Sequence, residues 1–280
     1  LANHQFNLIA TAKGENRFPV KEGYVYVEMD ITNAHQVKGV IEKYKPNAII
    51  HTAALTNVDV CEAEKELAFA LNVTAVQILV SLCEDFDIQF IHLSTDFVFD
   101  GANGPYDENA KPNPLSYYGK TKLMGEEIVR NSKIKWAILR TIIVYGIVSD
   151  MSRSNIVLWV KGALEKGEAI NVINDQWRMP TLVEDLVSGC LLAVEHDAQG
   201  IYHISGKDML SIAQIAYKVA DFWKLDQTLI TEINSATLNQ KAKRPVKTGF
   251  ILDKAMTELS YKPHSFEEGL VILAKQLQGN

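Results

Sequence analysis

Cysteine is scarce in this 280-residue chain, and its three copies, Cys61, Cys83 and Cys190, lie far apart. An odd number of widely separated thiols excludes a disulfide framework and a spaced zinc site, and it favours a reducing compartment. No apolar run approaches the roughly 18–20 residues that a membrane-spanning helix needs. The first residues also show no secretory-signal pattern. These features predict a soluble cytoplasmic protein with no membrane partner.

Positive charge is also in short supply. Lys and Arg number 28 against 34 Asp and Glu, so the formal net charge is −6. Such a chain has no general electrostatic attraction for nucleic acid or anionic membranes. The histidines show no metal-ligand spacing, and His92, inside a predicted strand, is interpreted as a packed core residue. No G-x-S-x-G nucleophile elbow is present, which disfavours a serine hydrolase.

The first half of the chain alternates strand-like and helix-like patterns, which predicts a parallel sheet with crossover helices. The predicted strands there are Phe6–Ala12, Tyr24–Met29, Ala48–Thr52, Ile88–Ser94 and Trp136–Val144. The predicted helices there are Asn33–Tyr44, with Asn33 as N-cap, Glu64–Glu84 and Tyr117–Arg130. After Gly146 we expect helices at Asn155–Lys166, Val183–Glu195, Ser211–Trp223 and Ser265–Leu277, with short strands at Ala169–Ile173 and Ile201–Ile204.

This order of elements predicts an α/β fold with a doubly wound, Rossmann-like parallel sheet. Residues 1–146 would form a dinucleotide-binding domain, and residues 147–280 mainly a smaller mixed α/β substrate domain, with 182–204 returning to the first domain. Such sheets normally begin with a strand and a Gly-rich turn that holds a pyrophosphate. Leu1–Gln5 instead resembles the tail of a helix. We therefore expect about 20 residues, one strand and most of one helix, to precede this sequence in the complete protein.

The strongest chemical pattern lies between Ser94 and Lys122. Ser94, Thr95 and Asp96 directly follow an apolar strand, at the end of the sheet where ligands bind. Tyr118 and Lys122 share one face of a helix at i, i+4. A nearby ammonium lowers the pKa of a tyrosine from about 10, and such a phenol can protonate a carbonyl oxygen. The i, i+4 spacing of Tyr118 and Lys122 alone could equally belong to two exposed residues of a helix. The prediction of a catalytic pair therefore depends on the position of this helix after the strand that ends in hydroxyl residues.

The segment HLSTDFVFDGANGPYDENAKPNPLSYYGKTKLMGEE resembles the extended branch of the short-chain dehydrogenase/reductase superfamily. It is most similar there to dTDP-4-dehydrorhamnose reductases, with their pattern STDYVFDG…PY.E….P…YG.SK..GE. The similarity extends to HTAALTNVDVCE, LNVTAV, LRTIIVYG, DQWRMPTLVEDL and RPVKTGFILDKAM, and so to nearly the whole chain. The resemblance implies that Thr95 polarises the substrate carbonyl, that Tyr118 donates the proton, and that Lys122 tunes Tyr118 and holds the nicotinamide ribose. Tyr118 and Lys122 are thus also expected cofactor contacts.

The resemblance implies further cofactor contacts from residues that follow strands. Ala53 and Ala54 would line the cofactor, Asp30 and Ile31 would meet the adenine, and Asn72 would support the site from a neighbouring helix. Each has a simpler reading: Asp30 as a helix N-cap, Asn72 as a surface residue, and the alanines as close packing.

The choice of dinucleotide follows from charge. A 2′-phosphate needs cations, whereas a free ribose hydroxyl is bound by a carboxylate at the end of the second strand. No carboxylate stands at the end of Thr11-Ala12, and Lys13 and Arg17 follow. We therefore expect NADP(H), although these loop cations could also be ordinary solvated residues.

The resemblance also implies a nucleotide-sugar substrate. Its expected contacts are Thr56, Asp96, Ile143, Arg178 and Arg244. The basic stretch from Lys241 to Lys247 could clamp a diphosphate or be a solvated loop. Phe97 stands where nucleotide-sugar dehydratases have Glu, which disfavours dehydration, and Ile143 stands where rhamnose reductases have Trp.

The predicted reaction is therefore NADPH-dependent reduction of the 4-keto group of a nucleotide-diphospho-deoxysugar. dTDP-4-dehydro-L-rhamnose, in dTDP-rhamnose biosynthesis, is the first choice. The alternative is a non-catalytic NADP-binding regulatory subunit resembling the β subunit of methionine adenosyltransferase, which DQWRMPT slightly resembles through Trp177 and Arg178. A homodimer is compatible with either reading.

Overall fold

A computed structural model describes residues 6–148, 155–238 and 240–279. The helix tail predicted at Leu1–Gln5 lies outside these residues. The strands are β1 (Ile9–Ala12), β2 (Val25–Glu28), β3 (Ala48–His51), β4 (Gln89–Thr95), β5 (Trp136–Thr141), β6 (Val144–Tyr145), β7 (Ile170–Ile173), β8 (Trp177–Arg178), β9 (Thr181–Leu182), β10 (Gly200–His203), β11 (Leu210–Ser211) and β12 (Ile230–Ile233).

Helices connect these strands. They are α1 (Ala34–Tyr44), α2 (Val58–Ala63), α3 (Lys65–Phe69), α4 (Ala75–Phe86), α5 (Tyr117–Arg130), α6 (Ile156–Glu165), α7 (Val183–Glu195), α8 (Ile212–Trp223), α9 (Asp253–Glu258) and α10 (Phe266–Gln278). The predicted N-cap of α1 is present, because the Asn33 side chain accepts from the backbone N–H groups of His35 and Gln36.

A four-stranded parallel sheet in the order β10-β5-β4-β3 organises the first half of the molecule. Its strands are in register, with His51 opposite His92 and Thr95 opposite Thr141. β1 and β2 form a parallel pair of their own, which is not hydrogen-bonded to β3 among the described residues. The predicted α/β fold with a parallel sheet is confirmed.

The central sheet is buried on both faces. Phe90 and Ile138 pack into one apolar cluster with α1 and α4, whereas the adjacent residues Ile91 and Leu139 pack into a second cluster with α7. This alternation explains the continuous apolar runs of these strands, since a parallel sheet covered by helices needs apolar side chains on both faces. A third cluster joins α6, α8 and α10 in the second half of the chain.

The single long helix predicted for Glu64–Glu84 is interrupted. Residues Ala70–Thr74 form a π-helical turn between α3 and α4. Asn72 lies in this turn, and its side-chain amide bonds the backbone of Leu55 and the hydroxyl of Thr121. A π turn is how a helix accommodates such a local constraint, and it often marks a functional site. The periodicity of apolar residues in the sequence does not predict this π turn.

The helical stretch Lys65–Phe86 is also long and apolar enough, by length and composition, to cross a membrane. Polar and charged residues interrupt this stretch, so it contains no long uninterrupted apolar run. Half of its most apolar 18-residue window is buried within the protein, and the core helix of a globular domain has the same composition. It packs against β4 and α5, and we interpret it as a core helix.

The strand predicted for Trp136–Val144 ends at Thr141 instead. Ile143 has φ of 31°, a left-handed conformation that β-branched residues rarely adopt. The chain therefore leaves the central sheet after Thr141 and resumes as β6, which pairs with β9. This turn places Ile143 at the edge of the sheet.

A buried ion pair fixes α5 on the sheet. The Glu126 carboxylate of α5 accepts from Arg140 of β5 at 2.9 and 2.6 Å and from the Ser94 hydroxyl of β4 at 2.6 Å. The side chains of the pair are 0–1% exposed. Removing one partner of such a pair leaves the other charge buried without compensation.

Arg140→Leu should therefore lower the free energy of unfolding by about 3–5 kcal/mol, measured by urea denaturation. Lys224→Ala, which removes an exposed pair with Asp221, should change it by at most about 1 kcal/mol. Adding Glu126→Met to Arg140→Leu should recover stability. Equal losses for the single and double variants would contradict this account.

Candidate active site

The polar residues predicted to follow the strands meet at the carboxyl edge of the sheet. β4 ends at Thr95, paired in register with Thr141 at the end of β5. The chain then turns through a short 3-10 helix, Asp96–Val98, in which the Thr95 hydroxyl accepts from the Phe97 N–H. This cap fixes the Thr95 side chain at the edge of the sheet.

Helix α5 brings Tyr118 and Lys122 to the same edge. Ser116 caps its N-terminus by accepting from the Gly119 N–H at 3.2 Å. Gly119 is required there, because a Cβ at this position would lie 2.2 Å from the Phe97 carbonyl oxygen. The missing side chain lets the first turn of α5 approach the turn after β4, and Tyr118 is thereby brought to Thr95.

Tyr118 is buried beside the Thr95 side chain, which acts to lower the pKa of its phenol. Its ring packs edge-on against Phe97, with centroids 5.7 Å apart. Burial raises the pKa of Tyr118 above its usual range, and the carboxylate of Asp96 adds to this. The expected lowering of this pKa by Lys122 is therefore wrong for the protein without bound ligand, because desolvation dominates. The phenol is held protonated.

Lys122 lies one turn further along α5 and is 3% exposed. Its Nζ donates to the Leu93 carbonyl at 2.7 Å and lies 3.4 Å from Nε2 of His92. Burial lowers the pKa of Lys122 to about 8, with Glu126 acting in the opposite direction. The ammonium is thus anchored from the interior of the sheet.

Asn72 supports the loop after β3 and is itself buried. Its Oδ1 accepts from the Leu55 N–H at 2.8 Å, and its Nδ2 donates to the Leu55 carbonyl at 3.1 Å. The surface reading of Asn72 is therefore wrong. The side chain fixes the segment in which Ala53 and Thr56 are exposed and Ala54 is half-buried.

Asp96 and Arg178, both expected to contact substrate, also bind other groups of the protein. Asp96 is buried, accepts from the Thr95 and Thr248 hydroxyls, and lies 3.6 Å from Nε of Arg178. Burial raises its pKa, against the effect of Arg178. Arg178 is also buried, and it donates to the carbonyls of Pro245 and Val246. Sequence order could not show that two chain segments enclose these groups.

Arg244, expected at the substrate diphosphate, forms an ion pair with Asp59 of α2 at 2.6 Å. Asp59 also accepts from the Ala242 N–H, and the Arg244 bond lowers the pKa of this carboxyl. The basic stretch is therefore not simply a solvated loop. With the Arg178 contacts, this pair binds segment 241–248 to both halves of the molecule.

The residues expected at the adenine end lie beside β1 and β2. Lys13 follows β1, and its Nζ lies 2.7 Å from Asp30, which follows β2. This bond lowers the pKa of Asp30 to about 2. Arg17 is exposed and Ile31 is half-buried. The N-cap of α1 is Asn33, so the simpler reading of Asp30 as a helix N-cap does not apply to this helix.

Sequence reasoning missed three contributors to this site. Glu126 and Arg140 fix α5, and His92 contacts Lys122 although it had been assigned only to the core. The position of His92 in the sequence, two residues before Ser94, was one indication of this role. The parallel register of β3 and β4 also places His92 opposite His51. Within the described ranges, no group of three or more His, Cys, Asp and Glu could hold a metal ion.

Residues 1–278 match the family described as RmlD substrate binding domain. The chain belongs to this family. The resemblance read from the sequence is thereby confirmed at the level of the family. The probable low-salt glycan biosynthesis reductase Agl14 of Haloferax volcanii is 32% identical, and the alignment covers 88% of this chain and 83% of that protein.

The chain is also similar to two proteins of different kinds. Methionine adenosyltransferase 2 subunit beta of Xenopus tropicalis is 35% identical over 73% of this chain, but the alignment spans only 63% of that protein. The structure of dTDP-4-dehydrorhamnose reductase from Bacillus anthracis, in complex with NADP, has a TM-score of 0.83 and 28% identity, with 90% of each chain covered. Membership of the RmlD family thus leaves the individual reaction open.

The anchored ammonium gives a prediction that needs no substrate. Lys122 should lose its proton near pH 8, more than two pH units below an ordinary lysine. NMR of 13Cε-labelled lysine should show one signal titrating near pH 8 that is absent from Lys122→Met. The signal should persist in Lys120→Met, an exposed position on the same helix. A Lys122 signal titrating above pH 10 would contradict the assigned environment.

Proposed function

We propose that this protein is a cytoplasmic reductase that uses NADPH to reduce the 4-keto group of a nucleotide-diphospho-deoxysugar. The first-choice substrate is dTDP-4-dehydro-L-rhamnose, which would place the enzyme in dTDP-rhamnose biosynthesis. The observation that carries the proposal is the buried, protonated Tyr118 beside Thr95 at the carboxyl edge of the sheet. The similarity to the dTDP-4-dehydrorhamnose reductase of Bacillus anthracis, solved in complex with NADP, supports both the cofactor and the substrate class.

The residues present fit a nicotinamide cofactor. Lys122 has three N–H donors, and the two acceptors in contact with it, Leu93 and His92, lie toward the sheet. A ribose hydroxyl would be a suitable partner for the third donor. Ala53 would line the cofactor from the loop that Asn72 holds in place. NADPH, when bound, supplies the hydride.

The protein's own residues supply the proton and orient the carbonyl. The Thr95 hydroxyl, which donates to Asp96 in this structure, would turn to donate to the substrate oxygen. Tyr118 would release its proton to that oxygen as negative charge develops there. Lys122 would stabilise the resulting phenolate. Phe97 packs against Tyr118 in place of the acid found in dehydratases, so the site offers no second carboxyl for elimination.

Substrate specificity would come from the rim of this site. Thr56 is exposed after β3, and half-buried Ile143 follows β5. Ile143 offers bulk without the N–H donor of Trp, so it would contact the sugar through apolar surface alone. Asp96, Arg178 and Arg244 would act by holding segment 241–248 against the site.

Tyr118→Phe should lower turnover with NADPH and dTDP-4-dehydrorhamnose by about 10²–10⁴-fold, because it removes the general acid. NADPH binding, followed by its fluorescence, should be nearly unchanged. The matched control is Tyr117→Phe, since Tyr117 is the neighbouring residue and stacks instead on Lys65. Near-normal turnover of Tyr118→Phe would exclude Tyr118 from the mechanism.

The Lys13–Asp30 contact gives a test of cofactor choice. A 2′-phosphate would compete with Asp30 for Lys13, and Arg17 would add a second cation. Lys13→Ala with Arg17→Ala should reduce the preference for NADPH over NADH by about tenfold, as loss of charge-assisted bonds requires. Lys38→Ala with Lys43→Ala removes two exposed cations of α1 and should leave the ratio unchanged. An unaltered ratio in the first double variant would place the phosphate elsewhere.

The second candidate function is a regulatory subunit that binds NADP without turnover. The specific observation in its favour is 35% identity to the β subunit from Xenopus tropicalis. NADPH oxidation by the full-length protein with dTDP-4-dehydrorhamnose separates the two. Firm NADPH binding without oxidation, with altered activity of a methionine adenosyltransferase catalytic subunit on mixing, would favour the regulatory function.

A further inference from the structure

The two histidines beneath the site have equivalent places in the sheet but different contacts. His51 of β3 and His92 of β4 are opposite each other, and their rings stack at 5.4 Å. Both are buried. Only His92 reaches the active-site lysine, with its Nε2 at 3.4 Å from Nζ of Lys122.

The chemistry of lysine determines the proton arrangement of this contact. A lysine ammonium has donors and no acceptor, so Nε2 of His92 must accept and the imidazole proton must be on Nδ1. Burial and the Lys122 charge hold the pKa of His92 well below its usual value, so the ring is neutral. Among the described residues, Nδ1 of His92 has no hydrogen-bond partner.

The residues around His92 and Lys122 leave room for the contact between their side chains. Gly125 of α5 faces the Nε2 edge of the imidazole, and a Cβ there would lie 3.5 Å from Nε2. On the other side, Lys122 is also bound by the carbonyl of Leu93, the residue next to His92. Adjacent residues of β4 therefore hold the ammonium at two points.

We propose that His92 is a positioning residue whose Nε2 accepts a hydrogen bond from Lys122 and orients the ammonium toward the cofactor ribose and Tyr118. This inference rests on the proposed reductase function for its catalytic consequence. The hydrogen bond itself does not depend on that function and is tested separately. His51, which shares the stack without touching Lys122, provides the matched comparison.

The hydrogen bond is tested by 15N NMR of histidine-labelled full-length protein without cofactor. The His92 signals, assigned by their loss in His92→Phe, should show a neutral ring with a proton on Nδ1 and a bare, hydrogen-bonded Nε2. Lys122→Met should shift the Nε2 resonance. A ring protonated at Nε2, or an Nε2 resonance unaffected by Lys122→Met, would overturn the proposal.

The consequence for Lys122 is tested through its titration. His92→Phe keeps an aromatic ring in the stack but removes the acceptor, so the pKa of Lys122 should fall further below about 8. Glu126 and His51 are the other titratable groups facing this pair, and both remain in the variant. His92→Gln, whose Oε1 can replace Nε2 as acceptor, should restore the titration. His51→Phe should leave it unchanged.

The functional readout is NADPH affinity together with kcat. His92→Phe should weaken NADPH binding and lower kcat/KM for the keto-sugar by about tenfold or more, as expected for a lost bond to a charged donor. His51→Phe should stay close to the parent, and His92→Gln should recover most of the loss. Equal losses in His92→Phe and His51→Phe, without rescue by Gln, would show that the histidines only pack. A parent that binds NADPH but reduces no keto-sugar would reject the proposed function, while the NMR result would still decide the hydrogen bond.

Discussion

The buried contact between Glu126 and Arg140 is the constraint on which the site depends. It joins α5 to β5, and Ser94 extends it to β4. Both carboxylate oxygens of Glu126 and two of the three guanidinium nitrogens of Arg140 are hydrogen-bonded. A buried pair held in this way tolerates little displacement of the helix. Lys122 and Tyr118 lie about one and two turns before Glu126 on that helix. Together with the close approach of the chain at Gly119, this attachment sets their position relative to the strand ends.

Desolvation then gives Tyr118 and Lys122 opposite pKa changes from a single cause. Burial disfavours a charged phenolate and a charged ammonium alike, so the pKa of Tyr118 rises while that of Lys122 falls. Burial therefore keeps the proton on Tyr118. A ligand that brings hydrogen-bonding groups and charge into the site would change this balance, as general acid catalysis requires.

The second half of the molecule contributes through segment 241–248, which contacts both halves. Arg244 binds Asp59 near the loop after β3, Arg178 holds the backbone of Pro245 and Val246, and Thr248 binds Asp96 beside Thr95. Three residues that were expected to contact substrate, Asp96, Arg178 and Arg244, thus also hold this segment in place.

The sequence by itself determined the α/β class, most element positions and the grouping of Thr95, Tyr118 and Lys122, because strand and helix periodicities and strand-end positions are local properties. Only the tertiary structure decided the partners of buried polar groups. Asp96, Arg178 and Asn72 bind segments far away along the chain. The π turn around Asn72 and the left-handed conformation of Ile143 are likewise features that residue periodicity does not predict. Desolvation, which reversed the expected pKa change of Tyr118, is likewise a property of the packed molecule and not of residue spacing.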